Sequence, residues 1–256
     1  MTKFQYADLH CHPNLKTFGQ SFSGKDDSKS DLWYTKKPDA FTKKIYEKTG
    51  VTKFSQTDFT TMSKAKGKIA FVSLYPFEKG FFHNPYVWPV LAAQLANWGI
   101  EIGYKRIRHI QGHKDYFEDL KKEYQFFIQG KKEQVVEGVL QKWKAVKSNQ
   151  ELGAVMKVEN EIAVIFSIEG AHVFNTGLVD YGRPIDQEEV FSNIQEVKTW
   201  EHVPLFIGLA HNFNNDLCGH ARSLQRLGNL VNQEKNLDIG LTPLGKDVIR
   251  ELLSQS

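Results

Sequence analysis

The sequence predicts an α/β fold built on a parallel sheet, either an open sheet or part of a (β/α)8 barrel. Two observations lead to this prediction. Short apolar segments typical of buried strands alternate along the 256 residues with longer segments of helical periodicity. Polar residues of catalytic type, such as His10 and Glu169, come directly after several of the apolar segments. Because active sites in such folds lie at the carboxyl ends of the strands, these residues are the first candidates for a functional site.

Four segments are predicted to be strands: 4–9, 68–75, 162–168 and 205–210. The last three are nearly continuous apolar runs, as expected for strands that are buried on both faces of a sheet.

Helices are predicted between and after these strands, at about 87–98 and 115–129 and from Asp186 and Thr242 onward. Asp186 is the expected N-cap of its helix, with Glu189 closing a capping box. The proline after Thr242 fits the first position of the last helix.

The stretch 14–66 is rich in Lys, Ser, Thr and Asp and lacks periodicity, most clearly at 24–31. It is predicted to be an exposed insertion in a single domain spanning 1–256, because so long a connection is often a lid or a disordered insert. Its aromatic residues, such as Trp33, suggest that parts of it pack on the domain. This stretch and the aromatic segment 77–98 are expected to shape or close a pocket.

Composition narrows the possible functions. Hydrophobic residues make up 41% and charged residues 25% of the chain, as in ordinary globular proteins. The net charge of +3 comes from scattered lysines and does not indicate nucleic acid or an anionic membrane as partner. Cys11 and Cys218 are predicted to be reduced thiols. With no signal peptide or long apolar run, the chain is expected to be cytoplasmic and not membrane-spanning.

The pair His10 and His12 begins the candidate site. Successive side chains of a strand point to opposite faces, so residues two apart share a face, and both imidazoles can aim at one divalent ion. A His-x-His pair at the end of a first strand is typical of metal-dependent hydrolase barrels. The alternative is a chance pair on a polar loop. Cys11, between the two, is predicted to point away as a packed thiol.

Two further strand ends carry candidates. Glu169 follows the third predicted strand, where a carboxylate is costly to desolvate without a metal, a basic partner or water. The alternative for Glu169 is a solvated position at a turn. His211 follows the fourth strand. The alternative to a functional role is that His211 caps or hydrogen-bonds Asn212 or Asn214. Five other histidines lack such placement and are predicted to be surface or structural residues: His109, His113, His172, His202 and His220. Of these, His172 and His220 lie near strand ends and remain further candidates.

Four short blocks, 8–13, 165–171, 208–215 and 240–253, together resemble the membrane dipeptidase (renal dipeptidase) family of the amidohydrolase superfamily. The last block, Gly-Leu-Thr-Pro-Leu-Gly-Lys-Asp-Val-Ile-Arg-Glu-Leu-Leu, is the most specific. The resemblance implies a (β/α)8-barrel dipeptidase that cleaves the amide bond of dipeptides with a water activated between two divalent ions, with zinc as the expected metal.

The resemblance also implies roles for individual residues. It makes His10 a metal ligand, with His12 able to ligate the same ion, and Glu169 the carboxylate that bridges both ions. His211 would contact the substrate or the tetrahedral intermediate, and Asn212 would lie beside it in the substrate site.

Two departures from the family pattern bear on these roles. The family usually has His-x-Asp on its first strand, whereas this chain has His-x-His, which puts the charge balance and the identity of the metal in question. The chain also stops at Ser256, where the fifth barrel strand is expected, so two further metal-binding histidines and a catalytic aspartate of the family have no counterpart. We therefore expect about the first four β/α units, either the N-terminal portion of a longer protein or a half barrel completed by a second copy. Alone, the chain is expected to be nearly inactive.

Two other functions compete with the dipeptidase. One is another hydrolase of the superfamily, a lactonase or phosphoesterase, which suits His-x-His but not the block 240–253. The other is a catalytically inactive barrel that binds a partner or ligand. The expected partners are a small-molecule substrate, such as a dipeptide or small amide, and a second copy in a homodimer.

Overall fold

A mixed sheet of mostly parallel strands lies at the centre of the fold. The computed structural model describes residues 5–24, 28–49, 52–83, 87–224 and 231–254. Within these ranges the strands are β1 (Tyr6–Cys11), β2 (Gly67–Leu74), β3 (Glu133–Val136), β4 (Val139–Ala145), β5 (Glu161–Glu169) and β6 (Ile207–Gly208). They are ordered β1-β2-β5-β4-β3, with β6 paired to β5. Only β3 and β4 pair antiparallel among the described strands.

The register of β5 fixes which strand ends meet. β2 pairs with β5 from Ile69 opposite Ala163 to Leu74 opposite Ile168, so the two strands end together. On the other side of β5, β4 covers the first half of the strand, and β6 pairs with its last two residues. The carboxyl ends of β1, β2, β5 and β6 therefore face the same edge of the sheet.

The predicted strands agree with the observed strands to different degrees. Those at 68–75 and 162–168 are confirmed as β2 and β5. The predicted strand at 4–9 runs two residues further, so His10 lies within β1, while Phe4 lies outside the described residues. The strand predicted at 205–210 is wrong in its extent, because only two of its residues form a ladder with β5.

Helices surround the sheet: α1 (Leu15–Ser21), α2 (Ala40–Thr49), α3 (Phe59–Lys64), α4 (Pro89–Ile100), α5 (Tyr104–Gly112), α6 (Tyr116–Gln129), α7 (Asn149–Met156), α8 (Gln187–Lys198) and α9 (Pro243–Leu253). The predicted starts of α8 and α9 are confirmed, since the side chains of Asp186 and Thr242 accept hydrogen bonds from the first turns. The capping box is wrong, because the Glu189 carboxylate accepts from Arg183 and Asn175 instead.

The expectation that the insertion at 14–66 lacks regular structure is also wrong, because α1, α2 and α3 lie within it. Asp58 caps α3 by accepting from the backbone of Thr61. Trp33 and Phe59 are buried in the main core, and Phe59 stacks on Trp143. These helices are short and polar, so tertiary packing rather than their own periodicity holds them in place.

A β-hairpin interrupts the predicted alternation of single strands and helices. β3 and β4 are joined by Glu137 and Gly138, which both have positive φ, as two-residue hairpin turns require. In the described part of the chain the sheet has two ends and does not close into a barrel. The fold shown is therefore α/β with a mixed, mostly parallel sheet.

The core lies between the sheet and α6, α8 and α9, and it contains Cys11, as predicted for a packed thiol. Cys11 and Cys218 are both buried and free, as predicted. Among the helices of the described residues, none is both long enough and apolar enough to cross a membrane.

Candidate metal centre

The three sequence candidates for metal binding meet at the carboxyl edge of the sheet. His10 lies in β1, His12 follows it, and Glu169 ends β5, two strands away. His12 Nε2 lies 3.0 Å from Glu169 Oε2, and His10 Nε2 lies 3.4 Å from Glu169 Oε1. The two Nε2 atoms are 3.2 Å apart. The i, i+2 geometry thus brings both imidazoles to one point, with His10 48% exposed and the other two side chains mostly covered.

Hydrogen bonding fixes the tautomer of His12. Its Nδ1 lies 2.9 Å from the backbone carbonyl of Ser73, and because a carbonyl oxygen only accepts, Nδ1 carries the proton. In a neutral imidazole, Nε2 then presents a lone pair toward the Glu169 carboxylate. An imidazole lone pair and a carboxylate oxygen that are 3.0 Å apart repel each other. A positive charge must therefore lie between them, either a second proton on His12 or a metal ion. A backbone carbonyl on the opposite ring nitrogen is the usual arrangement of a metal-ligating histidine.

His211 joins this cluster from the segment after β6. Its Nε2 lies 3.1 Å from Glu169 Oε1, and its Nδ1 lies 2.7 Å from Glu78 Oε2. Burial alone would lower the pKa of His211, but the hydrogen bonds to Glu169 and Glu78 outweigh burial and raise the pKa to about 9. Both ring nitrogens therefore donate, and His211 is a cation held between two carboxylates at neutral pH.

Glu169 remains ionised for the same reason. Burial would raise the pKa of this carboxyl, but hydrogen bonds from His12 and His211 outweigh burial and hold the pKa far below its usual value. A permanently ionised carboxylate beside two imidazoles is a donor set that suits a divalent transition metal.

Glu78 is a residue of the candidate site that the sequence reasoning missed. It is only 3% exposed, yet it accepts from the hydroxyl of Tyr75 and from the backbone N–H groups of Asn212 and Phe213. Burial raises the pKa of Glu78, but the hydrogen bond from His211 and its other partners lower it overall. The rule that singled out Glu169 applies here as well, because Glu78 follows a buried strand within an aromatic run.

Glu123 lies beneath the site and ties two strand ends together. Its carboxylate accepts from the backbone N–H of Tyr75 at 2.9 Å and from the side-chain amide of Asn14 at 2.5 Å. Burial raises the pKa of Glu123 to about 7. Asn14 comes two residues after His12, and Tyr75 comes directly after β2. Glu123 therefore holds the segment after His12 against the end of β2.

Other predicted residues have more peripheral positions. The Asn212 side-chain nitrogen lies 2.9 and 2.8 Å from Nδ1 and Nε2 of His211, so the contact given as the alternative for His211 is present beside its contacts with the two carboxylates. The backbone N–H of Asn212 donates to Glu78 at 3.3 Å, and its side-chain oxygen accepts from Ser223. His172, kept in reserve from the sequence, is fully buried and donates from Nε2 to the carbonyl of Pro76. Its Nδ1 is buried without a hydrogen-bond partner among the described residues, and its assignment as a structural residue stays a prediction.

Two cavities border the cluster. One of about 190 Å³ is lined by His10 and His12 and, on the opposite wall, by Tyr34 and residues 52–57 of the stretch 14–66. The other, of about 390 Å³, is lined by Glu78 and by residues of the segments 77–98 and 172–181. The polar stretch thus contributes to a cavity beside His10 and His12, and the aromatic segment contributes to a cavity beside Glu78.

Comparisons of this chain with protein-family models, with curated proteins and with solved structures find no match. The likeness of the four short blocks to membrane dipeptidases therefore stays a resemblance. The chemistry that the site supports follows from the geometry of its own side chains: two converging imidazoles, an ionised carboxylate and a cationic histidine.

Proposed function

We propose that this chain is a metal-dependent hydrolase that cleaves the amide bond of dipeptides or related small amides, with a divalent ion held by His10, His12 and Glu169. The observation that supports this most strongly is that His10 Nε2 and His12 Nε2 converge on the Glu169 carboxylate, at 3.4 and 3.0 Å, while His12 Nδ1 is committed to a backbone carbonyl. A cation at that point satisfies all three groups.

Zinc is the ion that we propose, because it accepts imidazole nitrogen and carboxylate oxygen in small coordination shells. The second ion that the resemblance implies needs further ligands. In the described ranges, the group at this edge consists of His10, His12 and Glu169 alone. The proposal for the described residues is therefore a single ion.

Such an ion polarises a substrate carbonyl and lowers the pKa of water when it is bound. The chain's own residues supply the rest. His211 carries a proton on Nε2 beside Glu169, so it can donate to an oxygen that gains negative charge. Glu78 holds Nδ1 of the same ring at 2.7 Å and keeps the imidazole charged and oriented.

The architecture supports the same proposal at a coarser level. β1, β2, β5 and β6 lie side by side in sequence order and are parallel, as the first strands of a (β/α)8 barrel would be. The hairpin of β3 and β4 is a departure from that arrangement. We propose the barrel, like the homodimer, as a property of the whole protein.

The test is an assay of the whole protein, since this chain alone is expected to be nearly inactive. The protein is stripped with a chelator, reloaded with zinc, cobalt or manganese, and assayed on a panel of dipeptides. We expect hydrolysis that depends on the added ion and is lost in Glu169→Gln but kept in the surface control Glu188→Gln. Including a lactone and a phosphate ester in the panel separates the competing hydrolases.

Metal binding without turnover of any substrate would contradict the hydrolase and favour a barrel with a binding role. Turnover that survives Glu169→Gln would contradict the assigned site.

A further inference from the structure

A second group of metal-type side chains lies away from the candidate centre, between α5 and α6. His109 lies in α5, His113 follows the helix end four residues later, and Asp119 lies in the first turn of α6. Each offers a ligand atom, and these atoms all lie within 4.8 Å of one another. Histidines at i and i+4 share one side of a helix, which is the spacing found in helical zinc sites.

The tautomer of His113 follows from its surroundings. Its Nε2 lies 2.6 Å from the backbone carbonyl of Asp115, so Nε2 carries the proton and Nδ1 presents a lone pair. The ring of His113 stacks on the ring of His109, with centroids 4.4 Å apart and planes inclined by 25°. Backbone support of one ring nitrogen with the other left as an acceptor is the arrangement described above for His12.

Asp119 is anchored so that one oxygen faces the histidines. Its Oδ2 accepts from Arg106 at 2.8 Å, and both side chains are only 2% exposed. The Arg106 guanidinium lies over the rings of Phe18 and Phe22, 4.9 and 4.7 Å from their centroids. The Oδ1 atom lies 2.8 Å from His109 Nε2. Carboxylates that bind metals are commonly held by such outer hydrogen bonds.

We propose that His109, His113 and Asp119 bind one divalent transition-metal ion, at a site separate from the candidate metal centre. Two imidazoles and one carboxylate suit zinc, and His109, which is 24% exposed, gives the ion a route from solvent. Because Arg106 already balances the charge of Asp119, this site binds more weakly than the candidate centre. The competing state is a purely structural network in which His109 donates a proton to Asp119.

The test counts zinc bound to the full chain in which the candidate centre is removed by His12→Gln and Glu169→Gln. After chelator treatment, the double variant is titrated with zinc by calorimetry, and bound zinc is measured after gel filtration. We expect one ion per chain, lost on adding His113→Gln and retained on adding His83→Gln, an exposed histidine outside the group.

A double variant that binds no zinc, or whose binding survives His113→Gln, overturns the proposal. If a variant does not fold, the second site is tested in the unmutated protein by NMR spectroscopy. Cobalt is then expected to broaden the ring signals of His109 and His113 in the NMR spectrum, and unchanged ring signals at saturating cobalt overturn the second site. Neither readout depends on hydrolase activity, so the two proposals stand or fall separately.

Discussion

The candidate metal centre and the group between α5 and α6 each contain two histidines and one carboxylate, but the carboxylates have different partners. Glu169 contacts the imidazoles of His10, His12 and His211, and an imidazole lacks the permanent charge of a guanidinium. Asp119 contacts His109 and Arg106, and the arginine charge is permanent. A carboxylate that an arginine already neutralises attracts a cation less, so the two groups should differ in metal affinity although their ligands match.

Their positions in the fold sharpen the contrast. The candidate centre lies at the ends of parallel strands and borders two cavities. The second group lies between two helices, where Arg106 and Asp119 form a buried ion pair. The first lies beside space that a small molecule can enter, whereas the second joins two helices whether or not it holds an ion.

The largest effect is expected from Arg106→Met. Removing one partner of a buried ion pair leaves Asp119 uncompensated, and the loss of stability should be about 3–5 kcal/mol. Urea unfolding measures it. The matched control is Arg108→Met on the same helix, where the arginine is partly exposed and bonds Gln111, and where less than about 1 kcal/mol is expected. Equal effects of the two variants would mean that the buried pair does not hold α5 to α6.

Glu169→Gln comes next. The substitution keeps the shape of the side chain but removes the negative charge on which two imidazoles converge, and we expect zinc affinity at the candidate centre to fall roughly 100-fold or more. Calorimetric titration in a His113→Gln background isolates this site. Unchanged affinity would place the ion elsewhere.

A pH dependence is expected from His211 in the metal-free protein. Its pKa lies near 9 in the folded chain against 6.5 ordinarily, so its contribution to stability is complete below pH 6.5 and is lost as pH rises through about 9. The loss is on the order of 2–3 kcal/mol. Glu78→Gln should flatten this decline and lower the pKa of His211 in an NMR titration. The control Tyr75→Phe keeps the charge of Glu78, so it should preserve both the decline in stability and the raised pKa of His211. An equal change in this control would contradict the conclusion that the charge of Glu78 raises the pKa of His211.

The smallest effect is a gain in stability. Burial raises the pKa of Glu123 to about 7 from 4.5, so folding loses stability as pH rises through this range and the buried carboxyl ionises. Glu123→Gln removes that cost. The Gln oxygen can keep the bond from the Tyr75 N–H, and its amide nitrogen can donate to Asn14 Oδ1, now without a partner, once the Asn14 amide turns over. We expect thermal unfolding at pH 8 to show a gain of about 1–2 kcal/mol, and little change at pH 5. A loss at both pH values would show that the ionised form is needed.

The candidate centre was predictable because its residues are marked by local pattern. His10, His12, Glu169 and His211 all come at or just after apolar runs, and parallel strands carry their ends to one edge. Glu78 obeys the same rule but lies among aromatic residues, which drew attention to pocket shape rather than charge. The roles assigned to all of these residues stay predictions, because the comparisons do not test them.

The second group could not be predicted in the same way. The i, i+4 spacing of His109 and His113 is visible in the sequence, but their meeting with Asp119, and its pairing with Arg106, depends on how α5 packs on α6. The helices within 14–66 were missed for a related reason: their buried faces are too short for periodicity to mark them, and contacts such as Phe59 on Trp143 decide the outcome.

Anomalous X-ray diffraction from crystals of the zinc-loaded protein tests the central claim most directly. The account predicts a zinc peak within about 2.0–2.2 Å of His10 Nε2, His12 Nε2 and a Glu169 oxygen, with a second, weaker peak beside His109 and His113. A map without zinc at Glu169, in which His12 and His211 simply bond the carboxylate as protonated partners, would contradict the metal centre.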